Sequence, residues 1–287
     1  MAMQIEWVNV SCDYKIGPLR SSRVLYDINL TIPPSSFVAI VGETGAGKSS
    51  LLKTMNGLLI PHKGWVNISD IKLQPNTDKR LLKQVRKKVG MVLQFPESQL
   101  FAETVEKDIC FGPLNYGFAE EEAKKLARES LRLVGLPLDL LAKSPFALSG
   151  GQKRRVAIAG ILALKPEILV LDEPGVGLDP EGKQEIFPLL TKLHQEAGIS
   201  IIFVTHDMNE VARYAKDVIV MKKGKVVFYG NKRDLFAEQE RLLDSHLDLP
   251  DALRFQRLFE KKSGKKLPKI CLTEEELAEC LIEAGYV

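Results

Sequence analysis

Gly42-Glu43-Thr44-Gly45-Ala46-Gly47-Lys48-Ser49 decides how the rest of this chain is read. The stretch follows an apolar run of strand length, Phe37-Val38-Ala39-Ile40-Val41, and opens a helix-like segment, Ser50-Leu51-Leu52-Lys53-Thr54-Met55-Asn56, that Gly57 closes. Its glycines leave the backbone open, so that successive N–H groups can turn inward at a helix N-terminus and wrap a phosphate. Lys48 then reaches the β- and γ-phosphates of a nucleotide, and the Ser49 hydroxyl suits Mg2+. The expectation is a nucleotide site that includes Gly42, Glu43, Thr44, Gly45, Ala46, Gly47, Lys48, Ser49 and Ser50.

Bulk properties narrow the class without settling it. A chain of 287 residues can bury a large core, and 45% hydrophobic with 27% charged residues is ordinary for a soluble globular protein. Lys+Arg 40 against Asp+Glu 37 leaves +3, too close to balance to argue for nucleic acid. Cys12, Cys110, Cys271 and Cys280 lack paired C-x-x-C spacing, so free thiols in a reducing cytoplasm are expected. Met1-Ala2-Met3-Gln4-Ile5-Glu6-Trp7 carries no basic region followed by an apolar stretch, so no signal peptide is expected. No apolar run approaches the roughly 18 residues that span a bilayer, and work at a membrane would need a partner to hold the chain there.

Residues 4–32 alternate as short strands around a loop at 17–23, and Tyr14 stands just before that loop. Tyr14 fits two readings, a ring packed on a sheet edge or an aromatic that stacks on adenine. Residues 64–68 read as a strand, 78–88 as a basic helix, and 89–93 as a strand ending at Gln94. That glutamine is either an ordinary loop residue or an Mg2+ ligand. Between 120 and 134, Ala123, Leu126, Ala127, Leu131 and Val134 fall on one helical face. Leu148-Ser149-Gly150-Gly151-Gln152 then opens another helix. Ser149 and Gln152 have capping-box spacing, while two glycines at a helix N-terminus also make a second anion site.

Ile168-Leu169-Val170-Leu171 reads as a strand buried on both faces that delivers Asp172 and Glu173 to a sheet edge, where parallel sheets bind ligands. Asp172 suits Mg2+, and Glu173 suits a general base for water. Gly177-Leu178-Asp179-Pro180 reads as a turn, and the helix that follows is expected to kink or break at Pro188. Residues 199–205 repeat the buried-strand pattern and bring His206 to the same edge. A hairpin at 217–230 closes the sheet, and the charged, helical remainder sets a boundary near Asn231.

Taken together, these motifs resemble the nucleotide-binding subunit of ATP-binding cassette (ABC) transporters, over residues 4–230 and in the family's order. The resemblance implies an α/β P-loop NTPase (RecA-like) core with an N-terminal antiparallel β subdomain and a helical signature subdomain at about 95–165. A C-terminal helical extension would occupy 231–287. It also implies ATP and Mg2+ as ligands, with Tyr14 stacking on adenine, Gln94 as the Q-loop glutamine and Ser149, Gly150, Gly151 and Gln152 as signature residues. Ser49, Gln94 and Asp172 would serve the metal, Lys48, Glu173 and His206 catalysis, and Asp179 the D-loop.

Within the family, Gln94-Phe95-Pro96-Glu97-Ser98-Gln99-Leu100-Phe101 and the tail from 247 to 282 look like the ATPases of energy-coupling factor (ECF) transporters, and Gln94-Phe95-Pro96-Glu97-Ser98 resembles the second of the two that such systems usually pair. That group imports vitamins, cobalt and nickel in prokaryotes. The implied partners are a related ATPase or a second copy, a transmembrane coupling protein and a substrate-binding membrane subunit, with no nucleic acid. The implied place is the cytoplasmic face of the plasma membrane, held peripherally. Residues after Gln94 would form a groove for the membrane partner, lined by Phe95, Leu100 and Phe101. Gly175-Val176 departs from the family's usual Thr-Ala or Thr-Ser. A soluble ABC ATPase of DNA repair or translation would need a coiled-coil insertion, a tandem cassette or a basic patch. A regulatory subunit with a dead site is disfavoured by Lys48, Glu173 and His206.

Overall fold

The structure, a computed structural model, describes residues 4–16, 20–178 and 180–286. Asp179 therefore lies outside the described residues. Among the described residues, ten strands build two sheets: β1 (Ile5–Ile16), β2 (Arg20–Ile32), β3 (Phe37–Val41), β4 (Lys63–Ile68), β5 (Ile71–Leu73), β6 (Val89–Val92), β7 (Ile168–Asp172), β8 (Ser200–Val204), β9 (Asp217–Lys222) and β10 (Lys225–Asn231). The larger sheet has the order β10-β9-β3-β8-β7-β6 and is parallel apart from the β9–β10 hairpin. The smaller, β2-β1-β4-β5, is antiparallel.

Alternation along the central strands explains how one sheet serves two cores. Phe37, Ala39 and Val41 enter the core shared with the helices, whereas Val38 and Ile40 enter the core shared with the smaller sheet. Leu169 and Leu171 divide from Ile168 and Val170 in the same way, as Ile201 and Phe203 do from Ile202 and Val204. Unbroken apolar runs are the consequence of being covered on both faces.

The helices are α1 (Lys48–Met55), α2 (Lys79–Lys88), α3 (Val105–Asn115), α4 (Glu120–Leu133), α5 (Gly150–Leu162), α6 (Pro180–Ala197) and α7 (Met208–Tyr214). Four more, α8 (Lys232–Ala237), α9 (Gln239–Asp244), α10 (Asp251–Ser263) and α11 (Glu274–Glu283), follow the last strand. All five apolar residues of the expected α4 face are buried, against Val105 and Ile109 of α3 and Val156 and Ala159 of α5. Trp7 Nε1 donates to Thr54 Oγ1 at 2.8 Å, both buried, which ties the smaller sheet to α1.

Two local expectations need correction, and one strand went unread. Arg20, Ser21, Ser22 and Arg23 extend β2 opposite Ile16, Lys15, Tyr14 and Asp13, because a hairpin ladder needs only backbone partners and tolerates polar side chains. Strand β5 was not foreseen at all, being three residues long between turns. Helix α6 runs through Pro188 without a break, since burial of Ile186, Phe187, Leu189, Leu190 and Leu193 outweighs the lost hydrogen bond.

The chain after Asn231 is stitched to what precedes it. Leu235, Phe236, Leu242, Leu253 and Leu272 join the helix-side core, while Ala252, Leu267, Cys271, Leu277 and Cys280 form a small cluster of their own. All four cysteines are buried and free, and burial pushes the Cys12 thiol up to about 12. Among the described residues, no helix is long and apolar enough to cross a membrane, and no three His, Cys, Asp or Glu gather as a metal cluster.

Candidate nucleotide site

Strand β3 ends directly into the loop that begins at Gly42. Gly42 has φ +142°, and a Cβ there would sit 2.2 Å from Met221 O, so the loop closes against β9 only with glycine. Gly47, at φ 101°, caps α1 without a side-chain hydrogen bond, so the helix presents bare N–H groups to an anion. Thr44, Gly45, Gly47, Lys48, Ser49 and Ser50 line a cleft of about 300 Å³, with Glu173 on its far wall. Val24 completes that lining, and nothing in its sequence neighbourhood marks it, because strand β2 brings it there from another sheet.

One buried ammonium and two carboxylates set the charge in and beside the cleft. Lys48 is 9% exposed and its Nζ donates to Gly42 O at 2.7 Å and Glu43 O at 2.9 Å. Burial lowers its ammonium below the ordinary lysine value, and the charges of Glu173 and Asp172 oppose that shift. Ser49 Oγ donates to Asp172 Oδ1 at 3.0 Å. Burial raises the Asp172 carboxyl above its usual range, with the Ser49 bond opposing and the charge of Glu173 adding to it. A hydroxyl beside a partly buried carboxylate is a hard-oxygen donor pair suited to Mg2+.

Glu173 follows β7 with its backbone at φ +52°, and its N–H donates to Val204 O at 3.1 Å, which anchors it to β8. Its two carboxylate oxygens face different partners: Gln94 Nε2 donates to Oε2 at 3.0 Å, and His206 Nδ1 stands 3.7 Å from Oε1. Three strand ends, of β6, β7 and β8, thus bring Gln94, Asp172, Glu173 and His206 to one edge. Beside them lies a network that sequence reasoning missed. Glu210, 6% exposed, accepts from Thr205 Oγ1 at 2.6 Å and pairs with Lys183 at 3.1 Å, and Lys183 also pairs with Asp207 at 3.1 Å. Asp207-x-x-Glu210 reads locally as a capping box of α7, yet Glu210 turns inward instead. This explains the glycine at 175, since a Cβ there would lie 2.4 Å from Glu210 Oε1.

The remaining expected residues do not line the cleft. Tyr14 packs partly buried against the smaller sheet's core, with its hydroxyl 3.4 Å from Ser50 Oγ and 3.3 Å from Lys53 Nζ. Ser149 caps α5 in a closed capping box: its Oγ accepts from Gln152 N at 3.3 Å, and its N–H donates to Gln152 Oε1 at 3.1 Å. Ser149 and Gly150 are exposed, and none of Ser149, Gly150, Gly151 and Gln152 lines the Lys48 cleft. A separate groove of about 390 Å³ includes Met91, Leu100, Phe101 and Phe111, whose two aromatic rings meet edge to face at 4.9 Å. Phe95 is not part of that lining and lies instead near Gly177.

With this geometry established, three kinds of likeness were found. A family model described as ABC transporter matches residues 25–176. A protein of Bacillus cereus described as energy-coupling factor transporter ATP-binding protein EcfA2 is 48% identical over 281 residues, spanning 98% of this chain and 96% of that one. Its namesake from Listeria monocytogenes serovar 1/2a is 50% identical over 266 residues, spanning 93% and 92%. Among solved structures, cbiO1 from Clostridium perfringens, described as part of the ABC transporter complex cbiONQ, superposes with a TM-score of 0.74 at 36% identity, over 91% of this chain and 100% of that chain. The ATP-binding cassette MJ0796, described as a dimer in a post-hydrolysis state bound to ADP and Pi, gives 0.69 at 35% identity, over 80% and 99%.

Proposed function

This chain belongs to the ABC transporter family, and from that premise we propose that it is the ATP-hydrolysing subunit of an energy-coupling factor importer. One observation carries the chemistry: the Glu173 carboxylate is held between Gln94 and His206 on the wall of the cleft that Lys48 and Ser49 line. Lys48 and the bare N-terminus of α1 bind the β- and γ-phosphates of ATP and stabilise the charge that builds as the γ-phosphoryl leaves. Glu173 orients the attacking water and takes its proton, while Gln94 and His206 keep the carboxylate in place. Mg2+, held by Ser49, Asp172 and the Gln94 amide oxygen, would neutralise phosphate charge. Tyr14 stacks on adenine in this reading, and Asp179 serves the neighbouring loop.

Signature residues Ser149 and Gly150, exposed and outside the lining of the chain's own cleft, support completion of the site by a second ATPase, head to tail. The partner is a related ATPase, as the ECF resemblance favours, or a second copy. The groove at Leu100, Phe101 and Phe111 receives a cytoplasmic helix of a transmembrane coupling protein. A separate membrane subunit recognises the solute, a vitamin or transition-metal ion, and the chain sits peripherally on the cytoplasmic face of the plasma membrane. Affinity purification of the tagged chain from native membranes in mild detergent tests this. Recovery with a second ATPase and a multi-spanning protein is expected; recovery alone refutes the importer assignment and leaves the ATPase chemistry intact.

A further inference from the structure

Arg154 lies in the second turn of α5 and is 3% exposed. A guanidinium has five N–H donors, and all five are used here. Nε donates to Glu97 Oε2 at 3.2 Å, Nη1 to Pro174 O at 3.1 Å and Val176 O at 3.3 Å, and Nη2 to Gln94 O and Val176 O, each at 3.2 Å. The acceptors belong to two irregular segments. One runs from Gln94 into the short turn Pro96–Gln99, and the other is the turn that follows Glu173. Burying a guanidinium is expensive, and an apolar side chain would fill this place at lower cost if packing were the whole purpose. Planar, forked geometry is what this place uses, because one rigid group can fix several carbonyls at once.

Glu97 is Arg154's carboxylate partner and is still 28% exposed at its side chain. It sits between Gln94 and the residues Gln99 and Leu100, which line the groove. We infer that Arg154 is a positioning residue that joins the Pro96–Gln99 turn to the turn after Glu173, with Glu97 as the point where motion of the groove enters. A displacement at Pro96–Gln99 pulls Glu97, Arg154 carries it to the carbonyls of Pro174 and Val176, and Glu173 moves with the turn it begins. This link runs in parallel with the direct Gln94–Glu173 contact and acts through backbone. It rests on Glu173 being the general base.

The test compares the full-length chain with Glu97→Gln, Arg154→Lys and the double variant. Steady-state ATP hydrolysis is measured against ATP concentration, alongside amide deuterium exchange of the peptide covering residues 174–178. Each single change is expected to lower kcat about tenfold with KM for ATP within about twofold, and to speed exchange in 174–178. The double variant is expected to be no slower than the slower single, because both break one linkage. Multiplying losses, a raised KM with kcat kept, or unchanged exchange would overturn the inference. Glu97→Gln alters a partly exposed side chain and so keeps the test open should Arg154→Lys fold poorly. Because a second ATPase completes the proposed site, hydrolysis is measured on the assembly recovered from membranes; a wild-type assembly that hydrolyses no ATP overturns the functional reading itself, and exchange in Glu97→Gln then decides the linkage alone.

Discussion

The two helix N-termini that bear on phosphate chemistry, those of α1 and α5, are finished to different degrees. At α1 no side chain caps the helix, Lys48 reaches back to two carbonyls of the loop, and the opposite wall is supplied by Glu173, which follows β7 and is held by Gln94. At α5 a capping box satisfies the N–H groups of Ser149 and Gln152, and Gly150 faces solvent while Gly151 is half-buried. An end left bare among buried strands is built to hold an anion. A capped, exposed end is stable by itself and gains its anion only when another surface brings one. The proposed pairing of two ATPases follows from that asymmetry.

The most severe way to break the comparison is at the completed end. Glu173→Gln should lower turnover by about 10²–10³-fold with ATP binding retained, read by hydrolysis assay and calorimetry. Turnover near wild type would remove the base from its role. At the other end, Ser149→Asp keeps a good cap and so should leave the melting temperature unchanged, yet its charge would repel a partner's nucleotide and cut turnover about tenfold. A variant as active as wild type would reduce the α5 terminus to a cap. Gly175→Ala forces a methyl against the Glu210 carboxylate and should cost about 1–3 kcal/mol in thermal or denaturant unfolding; an unchanged midpoint would mean that the Glu210 network yields freely.

The smallest effect is electrostatic. Burial and the charge of Glu173 raise the folded-state pKa of Asp172, so the folded chain holds that proton more tightly than the unfolded chain does. Stability is therefore lost as pH climbs past the ordinary carboxylate value, and Asp172→Asn removes the loss. Without nucleotide, the variant should melt about 2 °C above wild type at neutral pH, with the gap closing towards about pH 4. A gap that ignores pH would assign the difference to something other than charge.

Sequence patterns revealed what is periodic or local. Strands β3, β7 and β8 were legible as apolar runs because each is covered on both faces, and the α4 stripe because its apolar residues return every three or four positions. The glycine loop was legible because an apolar strand, a glycine-rich turn and a helix follow one another without interruption, as β3 and α1 do. Arg154 and Glu210 were not, since a buried charge that finds partners 57 and 60 residues away, or turns from its own helix cap, leaves no local trace. Strand β5 alternates over only three residues, too few to stand out as a period, and β2 hid polar residues in its hairpin.

Glu173 sits at φ +52°, a backbone region that non-glycine residues enter at a cost of about 1–2 kcal/mol. Directed evolution of this chain under heat alone would therefore reward glycine or asparagine at 173. Such a campaign would harvest robust, nucleotide-retaining proteins that no longer hydrolyse, so any thermostability screen on it needs turnover scored in the same round.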